Sequence, residues 1–217
     1  MTAMLSFSLD ELYAMYVAYN ETLGVWQLVA GGLMLVFAGL AFAGKERLNV
    51  WISLWLALLW IGTGVVYHWL FYSEINAAAK YYALGFVLQG LLIVYEGIKE
   101  KNLWFGYRGG YCAVMGTIFV LYALVGYPLL SLRLGQGYPE IAAYFLAPVP
   151  VTVYTLGLLL LTFKRVPEYL LIIPIVWSLV GTSVAALGIY QDLGQLIAGL
   201  ITAVLIHRHN KAMKRNI

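Results

Sequence analysis

Val25 to Gly44 reads VWQLVAGGLMLVFAGLAFAG, twenty residues without a charge, and Lys45, Glu46 and Arg47 follow at once. At ~1.5 Å per residue a helix of this length covers ~30 Å, the thickness of a bilayer's hydrocarbon layer. Working outward from it, further apolar runs occupy 49–72, 80–97, 110–132, 149–163, 168–188 and 191–207. The pattern predicts an all-α fold, a polytopic transmembrane bundle of seven helices. Composition agrees: 63% of the 217 residues are hydrophobic and 11% are charged, against roughly 25% charged in a soluble domain. Mean hydropathy is +0.84. A water-soluble fold of this size could not hide so much apolar surface. Many of the seven Trp and seventeen Tyr lie near the ends of the runs, where amphipathic rings suit the headgroup layer.

The charges between the runs set a direction. Lys45, Arg47, Lys99, Lys101, Arg108, Lys164, Arg165, Arg208, Lys211, Lys214 and Arg215 follow spans one, three, five and seven, whereas Lys80 and Arg133 lie at the other boundaries. The positive-inside rule makes the rich side cytoplasmic. The expected localisation is a bacterial or archaeal plasma membrane, with the N-terminus outside and the C-terminus in the cytoplasm. Residues 1–24 lack a basic start and carry Asp10, Glu11 and Glu21, so they do not read as a cleavable leader. Leu9, Leu12, Tyr13, Tyr16 and Tyr19 fall largely on one helical face, which predicts an amphipathic segment on the outer surface. The expected organisation is this segment over 1–24, a seven-helix domain over 25–207 and a basic tail over 208–217. Pro148, Pro150 and Pro167 suit first turns of helices, while Pro128 and Pro174 fall inside apolar runs and should bend them.

An internal repeat is a further expectation. Leu84-Gly85-x4-Gly90-Leu91 in span three matches Leu193-Gly194-x4-Gly199-Leu200 in span seven, and Trp60 in span two matches Trp177 in span six. Spans 1–3 and 5–7 share orientation, which gives a 3+1+3 parallel arrangement joined by span four.

Polar side chains at membrane depth are the first place to look for function, because they are costly in lipid. His68 near the outer end of span two either holds a solute or proton, or bonds a neighbouring helix. Gln89 near the middle of span three either lines a polar pathway or ties helices together. Gln27 and Gln195 lie shallower, toward the outside. Asn76 and Asp192 begin spans three and seven, as helix N-caps or, with His68 and Gln195, as a polar mouth. Gly194, Ala198 and Thr202 make a small-residue stripe suited to close helix packing. The tail from His207 to Arg215 suits contact with anionic lipid.

Several functions lack their residues. Span seven carries no Lys for a retinal Schiff base, and no His pair or acidic-His cluster supports a zinc hydrolase or haem ligation. No phosphate-cradling glycine loop and no catalytic Ser-His-Asp spacing is present. The single Cys112 rules out an intramolecular disulfide. No metal, cofactor or nucleic-acid partner is expected.

Stretches along nearly the whole chain carry a resemblance. They are Tyr19-Asn20, Tyr67-His68 with Phe71, Ile75-Asn76-Ala77-Ala78, Gly126-Tyr127-Pro128-Leu129-Leu130, Tyr138-Pro139, Pro148-Val149-Pro150 with Thr152 and Leu156-Gly157, and Gln191-Asp192-Leu193-Gly194. The chain resembles an uncharacterised family of small bacterial multi-span membrane proteins of unknown function. The family pattern often has Cys between the two prolines, where this chain has Val149, so thiol chemistry is not implied there. The resemblance implies a membrane protein and supplies no activity. In architecture the expected 3+1+3 bundle is similar to SWEET-type sugar facilitators and PnuC-type vitamin-precursor transporters, although the proline–glutamine signature of the former is absent. Fold analogy does not fix function. The leading expectation is a small-solute transporter or facilitator, with a site lined by Gln27, Trp60, His68, Gln89 and Trp177 and entered past Asn76 and Asp192, beside Gln195. The alternatives are a sensor or accessory subunit and, last, a membrane enzyme. Expected partners are the lipid bilayer, a small solute, and a second copy or another membrane protein.

Overall fold

A computed structural model describes residues 6–141 and 145–215; the ends of the expected outer segment and basic tail, 1–5 and 216–217, lie outside the described residues. The described chain is helical, with eight helices: α1 (Leu9–Leu23), α2 (Val25–Phe42), α3 (Glu46–Glu74), α4 (Ala79–Lys99), α5 (Gly110–Arg133), α6 (Pro148–Leu160), α7 (Glu168–Leu187) and α8 (Leu193–Arg215). Helices α2, α3, α4, α5 and α7 are each long and apolar enough to cross a membrane. Their outward faces are greasy, with Trp26, Leu35, Leu58, Leu84, Leu121 and Ile172 each more than half exposed. In α8 the apolar stretch ends at His207, and the helix then continues through the basic segment to Arg215.

Helix α6 explains the arrangement of the others. Its sequence, PVPVTVYTLGLLL, is apolar on every side, and each of its 13 residues is buried. A helix apolar all round belongs inside a bundle. At ~1.5 Å per residue it is ~20 Å long, shorter than the run 149–163 suggested, because the chain leaves the helix after Leu160. Pro148 and Pro150 sit in its first turn, where the missing N–H groups cost nothing. Its few polar groups reach specific neighbours: Tyr154 donates to the Met34 carbonyl of α2 at 2.7 Å, and Trp60 Nε1 of α3 donates to Thr155 Oγ1 at 2.9 Å. Against α5 the two backbones touch. A Cβ on Gly116 would lie 2.7 Å from the Gly157 carbonyl oxygen, and one on Gly157 would lie 2.8 Å from that of Gly116.

The prolines inside helices act as their chemistry requires. Pro128 has no N–H and crowds the preceding turn, and α5 widens into a π-helical turn over Tyr122–Gly126 just before it. Pro174 in α7 cannot supply the N–H that an α-helix would give the Leu170 carbonyl. Gln89 of α4 fills that role, its Nε2 donating to Leu170 O at 3.0 Å.

The helices α2 to α8 run alternately between two ends. At one end the coil 101–109 pairs with the chain leaving α6: Gly106 N donates to Leu161 O at 2.8 Å and Phe163 N to Trp104 O at 2.7 Å. Two asparagines complete that end by imitating a strand. Asn49 Oδ1 accepts from Phe105 N at 3.0 Å, and Asn210 holds both the N–H and the carbonyl of Val166 at 3.1 and 2.7 Å. Buried backbone outside helices has to be paired, and here side-chain amides do part of it. Tyr169 donates to the buried Glu96 carboxylate, which also accepts from Asn102 at 2.7 Å. The loops carrying eleven of the thirteen Lys and Arg all meet at this end.

At the opposite end α1 folds over the bundle. Ser8 caps it: its backbone N–H and its hydroxyl both bond Glu11, and together they hold that carboxyl below the usual carboxylate range. Of the apolar stripe read in the sequence, Leu12, Tyr16 and Tyr19 are buried, with Met15 beside them, while Leu9 and Tyr13 are half-buried. Asn20 fastens α1 by donating to the carbonyls of Pro139 and Ile141 at 2.7 and 2.8 Å.

The Gly116–Gly157 contact, backbone against backbone, leaves no room for a side chain. Gly157→Val should cost about 3 kcal/mol by overpacking and lower the unfolding midpoint in detergent by several degrees. Gly39→Ala, at a site with open space around it, should leave the midpoint unchanged or raised.

Candidate functional site

Beneath α1 lies a cavity of about 60 Å³ where α1, α3, α4, α5, α6 and α7 converge. Its lining includes five tyrosines, Tyr16 of α1, Tyr67 and Tyr72 of α3, Tyr82 of α4 and Tyr127 of α5, with Trp177 of α7 packed 5.4 Å from Tyr82. Leu12 and Tyr16 form the cover on the α1 side. The wide π-helical turns of Thr63–Phe71 carry Tyr67 and His68 into the interior. Gly64 allows α3 to approach α4 there, since a Cβ would lie 2.9 Å from the Ala83 carbonyl oxygen and from Phe86 Cβ.

Asp192 is the charged residue of this cavity. It reaches inward because Gly188, at φ +97°, takes the left-handed conformation that ends α7 and reverses the chain. The short turn Tyr190–Asp192 follows, held by Tyr122, whose hydroxyl donates to the Gln191 carbonyl at 2.6 Å. Asp192 is 4% exposed, and its Oδ1 accepts from the Tyr127 hydroxyl at 2.9 Å. Asn76 sits at the rim, donating to Tyr72 Oη at 3.3 Å while its Oδ1 accepts from Ala78 N at 3.0 Å in the turn before α4.

His68 lies directly behind the wall. Its ring is 4.5 Å from that of Phe86, 4.9 Å from Trp177 and 5.1 Å from Tyr67. It is fully buried, and neither ring nitrogen has a hydrogen-bond partner; Trp177 Nε1 has none either. Buried polar atoms without partners are rare and call for an explanation such as a bound water or ligand.

The structure thus brings together Asn76, Trp177 and Asp192, with His68 adjoining. It places the other residues picked from the sequence elsewhere. Gln27 accepts from the N–H groups of Phe145 and Leu146 at 3.3 and 3.0 Å and donates to Asn20 at 3.3 Å, a clamp at the root of α1. Trp60 packs on Phe86 at 4.5 Å below the cavity and bonds Thr155. Gln89 serves the Leu170 carbonyl, and Gln195 donates to Trp177 O at 3.3 Å. The tyrosine walls were not singled out beforehand. Their signal in the sequence, tyrosines clustered at one end of successive runs, is also what a headgroup belt produces. Among the described residues no three His, Cys, Asp or Glu side chains come together as a metal site.

A family described as being of unknown function (DUF6064) matches residues 9–216, and the chain belongs to it. No curated protein and no solved structure matches.

The pairing of Gln89 with the carbonyl opposite Pro174 can be checked by a double substitution. Gln89→Leu should destabilise the protein by about 1–3 kcal/mol, the cost of an orphaned buried acceptor. Adding Pro174→Ala restores a backbone N–H for Leu170 O and should recover most of the loss in detergent thermal unfolding. Additive destabilisation by the two changes would overturn the pairing.

Proposed function

We propose that this member of the family is an integral membrane protein that binds a small solute in the Asp192 cavity and carries it across the bilayer. The observation that carries this reading is the cavity itself: a buried carboxyl among tyrosine rings beneath α1. Ligand pockets combine apolar walls with a few convergent polar groups in this way.

The proposed topology has α2 to α8 crossing seven times, the basic end in the cytoplasm and α1 on the outside. It is supported by the alternation of the helices and by the gathering of the basic loops at one end. A 3+1+3 repeat is part of the proposal, and helix contacts support it. A shift of 117 residues takes Trp60, Ile61 and Gly64 onto Trp177, Ser178 and Gly181, and a shift of 109 takes Phe86 and Gly90 onto Gln195 and Gly199. Gly64 meets Phe86 as Gly181 meets Gln195, and Gly90 meets Ile61 as Gly199 meets Ser178. The hairpins α3–α4 and α7–α8 therefore cross in the same register, with α5 as the connector between halves.

A second reading, a membrane sensor or accessory subunit that binds without transport, is favoured by one observation. Below the cavity, the Trp60–Thr155 bond, the Trp60–Phe86 contact and the Gln89–Leu170 bond form a closed layer toward the basic end.

The topology predicts that, in a Cys112→Ala background in whole cells, Glu74→Cys reacts with a membrane-impermeant maleimide and Glu100→Cys reacts only after permeabilisation. The reverse pattern overturns the orientation. For function, purified protein should be stabilised in detergent by a member of a panel of small amines, amino acids, sugars and vitamins, because ligands bound to the native state raise the unfolding midpoint. The same solute should cross the membrane of reconstituted liposomes. Binding without flux selects the sensor reading, and absence of any stabilising solute removes the cavity as a ligand site.

A further inference from the structure

We propose that the solute of the Asp192 cavity is a small organic cation that presents a primary ammonium group. The inference rests on the solute-binding reading above and names the chemistry of its ligand.

Charge is the first argument. Asp192 is almost wholly buried, and the described residues lining the cavity include no Lys, Arg or His to offset it. An ionised carboxylate taken out of water without a counter-charge is costly. Its bond from Tyr127 supplies one donor and no positive charge. A cationic ligand supplies what the chain does not.

The walls are the second. Tyrosine and tryptophan rings attract cations to their faces, more strongly where water is displaced, and Leu12 and Tyr16 cover the cavity on the α1 side. Phenol oxygens decide between kinds of cation. The Tyr127 hydroxyl gives its proton to Asp192 and keeps lone pairs to accept with, and Tyr72 Oη already acts as an acceptor toward Asn76. A primary ammonium has three N–H donors to use on such oxygens, and a quaternary ammonium has none. Size is the third: a space of about 60 Å³, above the ~10–15 Å³ that one water needs, admits a small ammonium head.

The test uses the full-length protein in detergent at fixed ionic strength, titrated with methylammonium and ethylammonium chloride and read by thermal unfolding and calorimetry. Sodium, potassium and tetramethylammonium chloride and neutral acetamide are the comparators. The alkylammonium ions should give a saturable rise in midpoint that the comparators do not. Asp192→Asn should weaken binding by about 30-fold or more, as loss of one partner of a buried charge pair does. Trp177→Leu, which keeps the carboxylate, should weaken it several-fold and serves if Asp192→Asn does not fold. An equal response to potassium or tetramethylammonium overturns the primary ammonium, and affinity unchanged in a monodisperse Asp192→Asn protein overturns the role of the carboxylate. Silence of both alkylammonium ions overturns the inference. The two readings fail separately. Binding of a neutral solute alone keeps the cavity as a ligand site and removes the ammonium, whereas ammonium binding without liposome flux keeps the ligand and removes transport.

Discussion

Burial of α6 on all sides is the constraint from which the rest of the structure follows. An apolar helix of 13 residues has no polar face to turn outward, so other helices must enclose it. Enclosure brings backbones together, and the closest approach is possible because Gly116 and Gly157 carry no side chain. It also removes water from every polar group nearby. Tyr154, Thr155 and Trp60 accordingly bond within the bundle, to a carbonyl of α2 or to each other. A helix too short to span the hydrocarbon by itself leaves room at its two ends. At one end the coils 101–109 and 161–167 close the gap through backbone pairs and the amides of Asn49 and Asn210. At the other end the chain leaves the cavity.

The cavity is set apart by its buried carboxyl and its phenols. Throughout the interior, freed backbone groups have been given side-chain partners, as Gln89 does for the carbonyl opposite Pro174. Around Asp192 the protein has instead gathered a carboxyl and several phenols, with the Trp177 indole at the wall and the His68 imidazole behind it. Helix α1 covers one side of the cavity through Leu12 and Tyr16, and it is held at its root by the Asn20 and Gln27 bonds to the chain before α6.

Much of the architecture was legible in the sequence because each relevant signal is local. Each apolar run holds a helix, five of them long and apolar enough to cross a membrane, and Leu12, Tyr16 and Tyr19 of the predicted stripe face inward while Leu9 and Tyr13 are half-buried. Charge counting between the runs sorted the loops into the same two groups that the tertiary contacts assemble. The site was legible only in part. His68, Asn76, Trp177 and Asp192 drew notice as polar or aromatic groups in unusual places, and they do meet. Gln27, Gln89 and Gln195 drew the same notice, but each reaches a backbone group or amide of its own neighbourhood.

The sequence by itself determined that the chain is helical and apolar, where its helices lie, and which loops share an end. Those properties depend on runs of residues and on charge, which add along the chain. Only the tertiary structure decided that α6 is the enclosed helix, that Asp192 turns inward to Tyr127, and that tyrosines from α1, α3, α4 and α5 wall one cavity. The physical reason is the same in each case: a buried polar atom takes whichever partner the packing brings within ~3 Å, and that partner lies 65 residues away for Asp192 and 81 for Gln89.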